Sequence, residues 1–124
     1  MKLSLASRSP NYIKAYQHDS IQLATQTIVS HCLIAPEQVV TDWPARDPEN
    51  LDLSDLEPIF ALQPEVVILG TGIKQRFPPA IIIAAFLSQS IGLEVMDLGA
   101  ACRTFNVLLS EDRRVVAALF LSTT

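Results

Sequence analysis

Hydrophobic and polar positions alternate along the first third of the chain and stop alternating after it. Residues 12–17 and 21–23 follow a period of two, the repeat that sends successive side chains to opposite faces of a strand. Between them, His18-Asp19-Ser20 supplies turn chemistry. A third run, 27–34, mixes β-branched residues with Cys32 and Leu33 and stops at Ala35-Pro36; a fourth, 39–43, stops at Pro44. Such short runs in succession predict an antiparallel meander. A polar loop with two prolines follows. Ser54-Asp55-Leu56-Glu57 then reads as a capped helix start, with Leu56, Ile59, Phe60 and Leu62 at helical spacing. Pro58 falls in the first turn, where its missing donor does little harm.

The second half has a different rhythm. Residues 66–69 are a continuous apolar strand, and 79–89 form a helix that is apolar on nearly every side, closed by Gly92 near its C-cap. Residues 93–96 are another strand, Asp97 caps a helix over 99–109, and 115–121 form a last, wholly apolar strand. Strands without a polar face are covered on both sides. The expected fold is therefore α/β: a three-layer single domain over residues 1–124, with a mixed central sheet. The N-terminal antiparallel β-meander packs on one face, and residues 1–11 are expected to be a flexible lead-in. The helix from Pro79 lacks a polar face, so the sheet should cover one side and another element or a second subunit the other.

Size and composition agree with one globular domain: 124 residues, 49% apolar and 18% charged. A net charge of −4 argues against nucleic acid as a partner, because duplex binding rests on basic patches. The longest apolar run, 80–87, is too short to span a membrane, and residues 1–8 lack the apolar core of a secretory signal. Cys32 and Cys102 lie in apolar surroundings and read as reduced, buried thiols. A cytoplasmic location is the simplest expectation.

Two stretches can carry chemistry. The first is Gly70-Thr71-Gly72-Ile73-Lys74-Gln75-Arg76, at the carboxyl end of a predicted strand. Glycine lets a ligand approach the backbone, and Lys74 and Arg76 precede a helix N-terminus, which favours an anion. The P-loop pattern is absent and a third glycine is missing, so no nucleotide cofactor is expected. A structural turn and an anion-binding patch both fit the residues. The second stretch runs from Asp97 through Cys102, Arg103, Thr104 and Asn106. If the strands ending at residues 69 and 96 are parallel neighbours, their carboxyl ends bring the glycine turn beside Asp97. Arg103 then either clamps a carboxylate or phosphate or pairs internally with Asp97 or Glu94.

No catalytic set is complete. His31 and Cys32 are adjacent in a strand and point to opposite faces. Cys102 lies near a helix N-terminus with Arg103 following, which suits either a reactive thiol or a small buried residue. Asp47, Glu49, Asp52, Asp55 and Glu57 read as caps and a solvated face, not as metal ligands. The candidate ligand-binding residues are Gly70, Thr71, Gly72, Lys74, Arg76, Asp97, Cys102, Arg103, Thr104 and Asn106, with no metal and no catalytic residue.

Taken in order, several stretches form a recognisable set: residues 69–78, 94–97, 100–106 and 114–119, with Trp43-Pro44 upstream. This set resembles a single-domain family of uncharacterised bacterial and archaeal proteins. Its eukaryotic relatives include a mitochondrial assembly factor for respiratory complex I and an adipogenesis-associated protein. The resemblance implies a three-layer fold of β-hairpins, mixed sheet and helices, and no established enzymatic activity. For the mitochondrial relatives it implies a protein-partner role in building a membrane complex. The family's shared motifs fall on Gly70, Thr71, Gly72, Cys102, Arg103, Thr104 and Asn106. Leu98 stands where the family has a small polar residue and Phe105 where tyrosine is common, so two hydroxyls are missing. The expectation is a non-catalytic accessory or assembly protein with a protein partner, or a binder of a small anionic metabolite, and a homo-oligomer fits either.

Overall fold

The computed structural model describes residues 9–122. Its chain opens with a three-stranded antiparallel sheet of β1 (Ala15–Gln17), β2 (Ser20–Gln22) and β3 (Thr27–Ile28), in that order. The run expected as one strand over 27–34 is two strands in two sheets. β3 ends the meander, and β4 (Cys32–Ile34) joins the central sheet. The intervening bend is held from outside the run: Trp43 N donates to His31 O at 2.9 Å, and Asp42 N donates to Ser30 Oγ at 2.9 Å. Asp42 itself sits at φ +55°, which ends β5 (Val39–Val40) short of the predicted stop.

The central sheet has five strands in the order β5-β4-β8-β6-β7, with β6 (Val66–Gly70), β7 (Gly92–Met96) and β8 (Val115–Leu119). β6 pairs in parallel with both β7 and β8, whereas β4 is antiparallel to β8 and β5. Short 3-10 turns at Pro48–Asn50 and Leu53–Leu56 lead to α1 (Glu57–Ala61), with Pro58 in its first turn as expected. α2 (Ala80–Ser88) links β6 to β7, and α3 (Leu98–Ser110) links β7 to β8 by crossing β6. Parallel crossovers are right-handed, and the chain reverses its direction across the sheet after β7, so the two helices fall on opposite faces.

Strand alternation sorts the core accordingly. Ile34, Ile68, Ala117 and Leu119 face α3 and the meander, packing with Phe105, Cys102, Ile21 and Ile28. Leu33, Val67, Leu69, Val116 and Ala118 face α1 and α2, packing with Ile59, Ile82, Phe86 and Trp43. Every residue of β6 and β8 is buried, as their unbroken apolar sequences require. The meander shares its face with α3, which gives the three layers. Leu98 and Phe105 are both buried here, where a hydroxyl would need a partner.

One expectation about a helix end needs correction. The left-handed residue that turns the chain after α2 is Ser90 at φ +57°; Gly92 opens β7. Residues 1–8 of the predicted flexible lead-in lie outside the described residues; Asn11, at its end, is buried and donates from Nδ2 to Ala35 O at 2.8 Å. The sheet covers one side of α2 as expected, but no other element of the described residues covers the second side. Ile82 and Phe86 are buried, while Ile81, Ala84 and Leu87, spaced three apart, lie exposed on the far side.

Candidate functional site

One hydroxyl shapes the loop that leaves β6. Thr71 is 1% exposed; its Oγ1 donates to Lys74 O and accepts from Arg76 N at 3.0 Å. Gly72 stands at φ +94°, a conformation that L side chains rarely adopt. The loop is tied to both neighbouring strands. Thr71 N donates to Met96 O at 2.9 Å and Leu98 N to Gly72 O at 2.8 Å, so the glycine turn does lie beside the start of α3. On the other side, Phe120 N donates to Gly70 O at 2.9 Å. The carbonyls of Gly70, Gly72 and Lys74 are thus spent inward, while the amides of Gly72, Ile73, Lys74 and Gln75 have no acceptor among the described residues. The loop carries a surplus of hydrogen-bond donors.

Beside it is a cavity of about 520 Å³, within the range of small-molecule sites. It lies where the carboxyl ends of β6 and β8 meet the amino end of the antiparallel β4, the end of an open sheet at which α/β proteins bind ligands. Thr71, Gly72, Lys74 and Arg76 line it from the loop, Phe120 and Leu121 from the end of β8, His31 from just before β4, and Arg46 and Asp47 from the segment after β5.

Its electrostatics are set locally. Asp47 accepts from Asn50 Nδ2 at 2.9 Å and Asn50 N at 3.0 Å, and these bonds, with the Arg76 charge, hold its carboxyl below the usual carboxylate range. Arg76 Nη1 lies 3.3 Å from Glu49 Oε1, an exposed pair of small energetic value. The side chains of Arg46 and Lys74 have no partner among the described residues. His31 Nδ1 accepts from Leu121 N at 3.0 Å, and its ring meets Phe120 edge-on with centroids 4.9 Å apart. Burial lowers its pKa below the ordinary histidine value, so the imidazole is neutral with its proton on Nε2.

The remaining candidates do not line the cavity. Asp97 caps α3, accepting from Ala100 N at 2.9 Å. Cys102 is 1% exposed, and burial pushes its thiol up to about 12 despite Arg103 beside it; Cys32 is likewise pushed to about 12. Both thiols lie in one apolar cluster and stay protonated at neutral pH. Arg103 makes no ion pair with Asp97 or Glu94; it donates from Nη1 to Tyr16 Oη at 2.7 Å, over Gly99, and joins α3 to β1. Asn106 holds both backbone groups of Ile13, accepting from N and donating to O at 2.9 Å each. Thr104, next to Arg103, is partly buried. Sequence reasoning missed His31, Arg46 and Phe120. Pairing the final apolar strand with residues 66–69 on one side and with 32–34 on the other is the step that brings them to the turn.

Fold and cavity together define a three-layer α/β domain with an open, donor-rich cavity at the carboxyl ends of its central strands. A family model described as protein of unknown function (DUF498/DUF598) matches residues 13–120, and the chain belongs to that family. The chain is 33% identical over 88 residues to the 13 kDa major membrane protein of Francisella tularensis subsp. holarctica, covering 69% of this chain and 72% of that protein. It is 29% identical over 109 residues to NADH dehydrogenase (ubiquinone) 1 alpha subcomplex assembly factor 3 of Danio rerio, covering 86% of this chain and 62% of that protein. The chain thus spans less than two thirds of the assembly factor's length. A crystal structure from Bordetella parapertussis superposes with a TM-score of 0.83 at 33% identity, over 94% of this chain and 99% of that one. Among the described residues no helix is long and apolar enough to cross a membrane.

Proposed function

We propose that this chain is a non-catalytic accessory protein, working from the cytoplasm, that binds a protein subunit while a membrane complex of the respiratory kind is assembled. The observation that carries this reading is the similarity, across 86% of the chain, to a protein named as an assembly factor of NADH dehydrogenase. The surface supports it. Ile81 and Leu87 on α2 are 61% and 73% exposed, and Ile73 and Phe77 just before it are 74% and 60% exposed. Large apolar side chains gathered on one element and the loop that leads into it favour a protein contact. The chemistry points the same way, since neither thiol is activated and His31 already spends Nδ1 on a backbone amide.

The test is capture of the tagged protein from native membranes, with the recovered partner identified by mass spectrometry. The wild-type chain should recover a subunit of the NADH dehydrogenase complex, and Ile81→Glu with Leu87→Glu should lose it without altering the circular dichroism spectrum. Repeated recovery of the chain alone, or of a second copy of itself that the same variant releases, would overturn the reading.

A further inference from the structure

Apart from Ile73, which borders both surfaces, the cavity at the end of β6 has no part in that reading, and its chemistry selects a ligand. We propose that it binds a small organic phosphate monoester, the phosphate held by Lys74, Arg46, Arg76 and the free amides of the loop, the organic part against Ile73, Phe120 and Leu121. Four features carry this.

The first is charge. The chain as a whole is acidic, yet three cationic side chains line this cavity against a single carboxylate, Asp47. With His31 neutral, the lining side chains carry two net positive charges. Glu49, outside the lining, offsets part of the Arg76 charge, but Arg46 and Lys74 have no such partner among the described residues. This balance suits the dianion of a phosphate monoester better than a monocarboxylate. The second is the backbone. Gly72, at its left-handed φ, and the inward use of three carbonyls leave the successive amides of 72–74, which line the cavity, without acceptors among the described residues. Successive free amides around a turn form an anion-binding concavity, and a tetrahedral phosphate offers enough oxygens to engage several together. The third is the division of labour among the cations. Among the described residues Arg46 and Lys74 have no partner, and Arg76 is held by an exposed pair to Glu49. Two guanidinium forks and one ammonium are the groups that suit phosphate geometry. The fourth is shape. A volume of about 520 Å³ exceeds what a bare phosphate fills, and Ile73, Phe120 and Leu121 supply an apolar wall for the rest of the ligand.

Arg103 and Asn106 stand outside this arrangement, engaged with Tyr16 and Ile13. That separates the proposal from a site on α3. The experiment is an amide-resolved NMR titration of the whole chain at low ionic strength with three probes: inorganic phosphate, phenyl phosphate and benzoate. Phenyl phosphate should bind most tightly, moving the amide signals of residues 72–74 first. Arg46→Ala and Lys74→Ala should each weaken it by roughly tenfold, the value of one lost charge-assisted contact. Both positions are exposed, and unchanged amide spectra away from the cavity will show that the variants fold. Arg103→Ala should bind like the wild type. Equal affinity for benzoate, no binding of any probe, wild-type affinity in both cavity variants, or an equal loss in Arg103→Ala would each overturn the proposal. The titration uses the isolated chain, so its failure leaves the accessory role standing.

Discussion

Asn106 shows how a polar side chain past the middle of a helix comes to serve the fold. Its amide oxygen and nitrogen copy the pairing of an antiparallel strand, meeting Ile13 N and Ile13 O at 2.9 Å each. The chain entering the meander is thereby fastened to α3 before β1 begins. Ile13 is 4% exposed, so its backbone groups are poorly placed to find water once that partner is removed. Each unsatisfied buried group costs about 1–3 kcal/mol, and Asn106→Ala should destabilise by about 2–4 kcal/mol in urea unfolding. Asn106→Asp is the sharper probe, because a carboxylate still accepts from Ile13 N but faces Ile13 O with like polarity. It too should destabilise, and amide exchange at Ile13 should accelerate more in the alanine variant than in the aspartate variant. Equal exchange in both variants and the wild type would mean the contact is not held in solution.

At the scale of elements, the contact between β6 and α3 sets how closely the helix can lie on the sheet. A Cβ added at Gly70 would sit 2.8 Å from Leu119 Cδ2 and 2.9 Å from Ala101 Cβ. Leu119 can turn aside, but Ala101 belongs to the helix and cannot, so Gly70→Ala must lift α3. Overpacking of this kind costs about 1–3 kcal/mol, and a lowered urea midpoint with an unchanged m-value is the expected result. Gly72→Ala tests a different cause, its positive φ, and should disturb the 71–76 loop without moving α3. Such closeness is hard to read from sequence, whereas the strands and helices themselves are easy. The unbroken apolar runs at β6 and β8, the all-apolar α2 and the Asp97 cap are each decided by neighbours within a few residues. The split of 27–34 into β3 and β4 was not legible, because its composition is uniformly strand-like and the break is imposed by Trp43 and Asp42 from outside. The candidate site divides the same way. The glycine turn and its basic residues announce themselves locally, but the partner of Arg103 does not, because helical spacing alone does not say that Tyr16 of β1 takes its guanidinium. His31 and Arg46 reach the cavity through the pairing of β4 with β8, and Phe120 through that of β8 with β6, contacts between distant parts of the chain.

At the scale of the whole molecule, that pairing gives one histidine a hold on overall stability. His31 precedes β4 and accepts from Leu121 N just beyond β8, so it joins the ends of two central strands while its ring lies against Phe120. Burial opposes the charged imidazolium; the Arg46 carbonyl and the Asp47 carboxylate favour it, and burial prevails. The folded-state pKa therefore lies below the unfolded value near 6.5. As pH falls through that value the unfolded chain takes up the proton first, and the folded state loses stability relative to it. Protonation at Nδ1 also removes the acceptor for Leu121 N. Unfolding by urea should thus become easier from about pH 7.5 to about pH 5.5, a window above the range where ordinary carboxylates titrate. His31→Asn places an amide oxygen where Nδ1 stands and keeps the acceptor without the titration, so its stability should change less over the same window. His18 is present in both proteins and cancels from the difference. A variant whose stability falls as steeply as the wild type would place the acid sensitivity at another group.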